Sequence, residues 1–97
     1  VIRDENMMDT IETVGRSLVQ HGPLNDRVYL MHVCCDDVPW VIKQLDNLAA
    51  MNKYTKILAR IPQSVASAFL DAQYFPEAVI PGYMPSGEDL LFFSKNL

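Results

Sequence analysis

His32, Cys34, Cys35, Asp36 and Asp37 place the side chains that most often hold zinc within one six-residue stretch, 32–37. Their spacing does not suit a metal. Structural zinc sites take paired donors from two separated clusters, and the other histidine, His21, stands alone upstream. A thiol nucleophile at Cys34 or Cys35 would need a base and an electropositive setting, and the two aspartates that follow oppose thiolate formation. Packed thiols are the expectation, and no metal or catalytic residue is assigned.

A second group runs from His21 to Arg27 in "QHGPLNDRVYL". Gly22 and Pro23 punctuate the chain, while Asn25 and Asp26 can bond their own backbone or accept a left-handed conformation, so a turn between two strands explains most of the group. His21 and Arg27 exceed what a turn requires. Tyr83 and Met84, beside Pro81 and Gly82, either line a groove or close a small core. The four glycines, at 15, 22, 82 and 87, fall in no phosphate-loop or dinucleotide-binding frame. Trp40, near the edge of an apolar helical stripe, suits packing in a core or an interface.

Two helices and several strands must position these residues. Val38, Val41, Ile42, Leu45, Leu48 and Ala49 recur at steps of three and four, which predicts a helix over 37–52, with Asp36 or Asp37 as cap and Pro39 in its first turn. A second helix is expected over 64–73, started by Ser64 after Pro62, with Val65, Ala68, Phe69 and Ala72 as its stripe. "RVYLMHV" (27–33) and "KILARI" (56–61) read as parallel strands covered on both faces, joined through the first helix as a βαβ unit. "EAVIPGYM" and "DLLFFSK" flank the turn signal "PSGE" and read as a C-terminal antiparallel hairpin. "TIETV" and "SLVQH", around Gly15 and Arg16, form one or two further strands, although a short helix from Asp9 also fits. The predicted class is α/β (α+β): a single mixed sheet with two helices and a C-terminal hairpin, in one domain over 1–97. Residues 1–8 precede the patterned part and are read as disordered or expression-derived.

Composition sets outer bounds. Ninety-seven residues with 49% apolar content make one globular domain, and a net charge of −4 argues against a nucleic-acid surface. No apolar run is long enough to cross a bilayer, and the start lacks a signal-peptide layout, so a cytoplasmic protein is expected, with neither nucleic acid nor membrane among its partners. Adjacent cysteines exclude a disulfide scaffold.

"SLVQHGPLNDRVYLM" and "IPGYMPSGEDLLFFSKNL" together resemble the N-terminal domain of the archaeal and bacterial β-lysine acetyltransferases, over nearly the whole chain. Gln20, His21, Gly22, Asn25, Asp26, Arg27, Tyr29, Leu30, Met31, Ile80, Pro81 and Tyr83 carry the likeness. In that family such a domain precedes a catalytic domain of the GNAT superfamily. The resemblance implies a partial GNAT fold and a parent enzyme that moves acetyl from acetyl-CoA to the ε-amine of β-lysine, making a compatible solute. It also gives interest to His21, Asn25, Asp26, Arg27 and Tyr83 as candidate substrate contacts. The strand order likewise resembles the C-terminal half of a GNAT fold, with two departures. Tyr74 stands where that fold has a glycine, and "CCDDVPW" replaces the R/Q-x-x-G-x-G/A turn whose bare amides hold the cofactor's pyrophosphate. Pro39 lacks an amide proton and two carboxylates repel a diphosphate. The expectation is a non-catalytic accessory domain with no cofactor of its own, partnered by the catalytic domain of the same chain. Acetyl-CoA then serves only as cosubstrate of the parent enzyme.

Two other classes of function fit the same residues. One is a free-standing interaction module that forms a homodimer through an apolar face or sheet edge. The other is a small stand-alone enzyme using His21 or Cys34, which requires a base, an orienting group and an oxyanion donor within mutual reach.

Overall fold

A computed structural model describes residues 9–34 and 36–97. Residues 1–8 and Cys35 lie outside the described residues, and with them the expectations made for that segment and that thiol. The elements are β1 (Thr10–Val14), β2 (Ser17–Gly22), β3 (Arg27–His32), α1 (Val38–Asn52), β4 (Lys56–Pro62), a 3-10 turn (Gln63–Val65), α2 (Ala66–Asp71), β5 (Phe75–Ile80) and β6 (Leu90–Asn96). The six strands form one mixed sheet in the order β1-β2-β3-β4-β6-β5. β3 and β4 are its parallel pair, in register from Arg27↔Lys56 to Leu30↔Ala59, and the remaining neighbours are antiparallel. The predicted class therefore holds: one mixed sheet, two helices and a C-terminal hairpin.

Tight turns decide the N-terminal half. Gly15 takes φ +61° between β1 and β2, and the chain there forms a hairpin rather than a helix from Asp9. Asp26, at φ 52°, is the left-handed residue of the β2–β3 turn. Gly22 is needed for a different reason: Asp9 crosses over it, with its Cα 2.6 Å from where a Cβ would stand, so no side chain fits.

Both helices pack on the same face of the sheet. Val38, Val41, Ile42, Leu45 and Ala49 of α1 and Phe69 of α2 join Val28, Leu30, Ile57, Ala59, Ile61, Leu91 and Phe93 in one core. Burying each large apolar side chain contributes roughly 1.5–3 kcal/mol before chain entropy is charged against it. Among the described residues no helix lies over the opposite face. β3 and β4 consequently alternate between buried and half-buried residues, which corrects the expectation that both faces of these strands are covered.

Element boundaries also differ. The second helix opens as a 3-10 turn at Gln63 and becomes α-helical only over Ala66–Asp71. Ser64 does not cap it. The Ser64 N–H donates instead to Glu88 Oε2 at 3.0 Å, so a carboxylate from the loop before β6 does the work assigned to the serine. β5 starts at Phe75 and ends at Ile80, leaving Pro81–Asp89 as a longer connection than the "PSGE" turn alone. Among the described residues, no helix is long and apolar enough to cross a membrane.

Candidate functional site

The turn after β2 gathers a polar group at one end of the sheet. Asn25 Nδ2 donates to Asp9 Oδ2 at 2.6 Å, Arg27 Nε donates to the Asn25 carbonyl at 3.3 Å, and Thr55 Oγ1 donates to Asp26 Oδ2 at 2.9 Å. Asn25 and Arg27 line an open cleft of about 300 Å³ on the uncovered sheet face, with Asp9 and Gln20 at its rim and Tyr29, Leu58 and Phe92 as its floor. Alternation along β2 and β3 explains the split between the faces. Gln20 and Tyr29, paired in register, point to the open face, whereas His21 and Val28 point towards the helices.

His21 therefore belongs to a different environment from Asn25 and Arg27. Its Nδ1 lies 3.0 Å from Tyr54 Oη, and its Nε2 lies 3.3 Å from Glu12 Oε2. The alignment at Nε2 is too poor for a formed hydrogen bond, so the contact with Glu12 is electrostatic. Burial, then the charges of Asp9, Asp26 and Glu12, push the Tyr54 phenol up, which keeps its hydroxyl protonated beside the imidazole. With both ring nitrogens facing protein groups, His21 links β1 to the end of α1 and is poorly placed as a free base. Asp26 serves the turn, and Tyr83 lies at the far end of the sheet, its ring 5.4 Å from the Arg60 guanidinium. Of the five candidate substrate contacts, the fold brings only Asn25 and Arg27 into one cavity. Gln20, Tyr29, Leu58 and Phe92 were not singled out as cleft residues; strand alternation identifies them once the register is known.

The second place of interest is the start of α1, directly after β3. Asp37 is its cap: Oδ1 accepts from the Trp40 N–H at 3.3 Å, and the Asp37 carbonyl accepts from the Val41 N–H at 3.1 Å. Pro39 removes another amide from the first turn. Asp36 faces Arg16 at 3.5 Å, both well exposed. The loop is tied down where the Cys34 N–H donates to the buried Ser17 Oγ at 2.8 Å. Trp40, expected in a core or an interface, is 43% exposed and rests on the Gly15 turn, where glycine's missing side chain makes room for the indole. Among the described residues, no group of three or more His, Cys, Asp or Glu side chains is arranged to hold a metal.

Comparison with known proteins adds to this picture. No protein-family model matches the chain. It is 31% identical over 88 residues to a beta-lysine N(6)-acetyltransferase of Methanococcus maripaludis, an alignment covering 91% of this chain and 31% of that protein. The chain thus spans about a third of the length of that relative. Its fold is similar to that of the ribosomal-protein-S18-alanine N-acetyltransferase of Escherichia coli, with a TM-score of 0.52 at 10% identity, over 97% of this chain and 71% of the other. Sequence and fold thus agree: the chain is similar to N-acetyltransferases in both, and its fold is a partial GNAT fold.

Proposed function

We propose that this is a non-catalytic GNAT-like domain of an enzyme that transfers acetyl from acetyl-CoA to the ε-amine of β-lysine in the cytoplasm, making a compatible solute. In this reading it precedes a separate catalytic domain of the same polypeptide, and that domain binds the cofactor. The observation that carries the proposal is the start of α1. A diphosphate seated on a helix N-terminus needs free amides and a positive end. Here the Trp40 amide is taken by Asp37, the Pro39 amide does not exist, and the capping carboxylate occupies the place of the anion. Cys34, the alternative nucleophile, is followed by Asp36 and Asp37, and His21 is held between Glu12 and Tyr54, so neither supports an independent enzyme.

The domain's part is to orient its partner and to contribute one wall of a cleft. Ligand sites form preferentially at domain junctions, and Arg27 with Asn25 stands at the rim of the open face, where the carboxylate of an amino-acid substrate can be met at such a seam. Calorimetric titration of the chain with acetyl-CoA tests the reading. The expected result is no binding tighter than about 1 mM, and a micromolar dissociation constant would overturn it.

A further inference from the structure

β3 and β4 carry enough apolar residues for cover on two sides, and the helices supply one. On the other side β4 presents Lys56, Leu58 and Arg60 in a row. Tyr29 lies beside Leu58 on β3, and Phe92 lies opposite Arg60 on β6. Leu58, Tyr29 and Phe92 form the floor of the open cleft. Among the described residues Lys56 and Arg60 make no ion pair, and Arg60 is steadied only by its stack on Tyr83. A chain of net charge −4 thus bears an apolar strip with an uncompensated cation at each end. Four residues of strand, about 13 Å at ~3.3 Å per residue, separate the two cations.

We propose that this face is the docking surface for one amphipathic α-helix whose apolar stripe carries a carboxylate at each end. Such a helix satisfies its own backbone, whereas a lone strand laid flat on the sheet would leave its N–H and C=O groups unpaired. At a rise of 1.5 Å, two turns advance about 11 Å, so carboxylates about seven positions apart lie on one side of the helix and come within side-chain reach of Lys56 and Arg60 together. A second copy of this chain is a poor occupant. Both ends of the strip are cationic, so a two-fold axis sets like charges against each other in either alignment. The relative leaves more than two thirds of its length outside the matched region, enough chain to supply the helix. The docking surface does not depend on the assigned reaction. Tight acetyl-CoA binding would overturn the non-catalytic reading and leave this surface untouched.

The test is calorimetric titration of the full chain with a synthetic helical peptide of about four turns, bearing Glu at both ends of a Leu/Ala stripe, and with its twin bearing Lys. The Glu peptide is expected to bind at least about tenfold more tightly than the Lys peptide, with the preference reversed in the K56E/R60E protein. The peptide swap leaves the protein untouched, so the result stands even if the charge-reversed variant folds poorly. Equal affinity for the two peptides, or no binding of either at millimolar concentration, would refute the proposal. So would a dimer in sedimentation that Leu58→Arg dissociates, because the face would then belong to a second copy.

Discussion

Tyr74 is the residue whose chemistry is most exposed to a simple test. It is buried, stands edge-on to Phe69 with ring centres 5.1 Å apart, and has Lys95 Nζ 5.5 Å from its own ring centre. Among the described residues its hydroxyl has no hydrogen-bond partner. Burial first, then the charge of Asp46, pushes the phenol well above its ordinary value, and Tyr54 moves in the same direction. A tyrosine with a raised folded-state pKa contributes stability that is fully present below the unfolded value of about 10 and is lost as pH rises above it. Urea unfolding should therefore show no tyrosine-linked change in stability around neutral pH and a fall beyond pH ~10. Tyr74→Phe is expected to lie within about 1 kcal/mol of the parent at neutral pH, or slightly above it, because it deletes an unpaired polar atom, and to soften the alkaline fall. A loss beyond about 2 kcal/mol at neutral pH would mean that the hydroxyl is satisfied after all.

At the scale of elements, α1 depends on its cap. Asp37→Ala should cost about 1 kcal/mol in denaturant unfolding, while Asp37→Asn, which keeps an acceptor at the same place, should cost much less. Equal losses from the two variants would mean that the carboxylate's charge, and not the capping bond, matters. This helix was legible beforehand, because its apolar residues repeat at three and four and its cap lies directly ahead of them in the chain. α2 was legible only in part. In its opening turn the Ser64 amide is met by Glu88, 24 positions away, and no local pattern announces a partner supplied from so far along the chain.

For the whole molecule, strand position in the sheet governs local stability. β1 and β5 are the outer strands and are almost wholly exposed, whereas β3, β4 and β6 lie inside the sheet and carry the core. Hydrogen exchange is expected to be fastest in β1 and β5 and slowest in β3 and β4, since edge amides open without disturbing the core. Equal protection across all the strands would show that something covers the edges. The Lys95–Asp46 contact at 3.3 Å ties β6 to α1 and belongs to the protected unit.

Sequence alone determined what depends on neighbouring residues: the period of α1, the turn chemistry of Asn25 and Asp26, the βαβ unit, and the carboxylates and proline where amides would otherwise meet phosphate. It also carried the family likeness. Tertiary structure decided what depends on pairing and layering. The register turned His21 towards Tyr54 and left Asn25 and Arg27 in the cleft, since a strand's alternate residues face opposite sides of the sheet. Layering decided that both helices share one face, leaving Leu58 between Lys56 and Arg60 open on the other. Strand composition records that a face is apolar, but only packing shows whether anything lies on it.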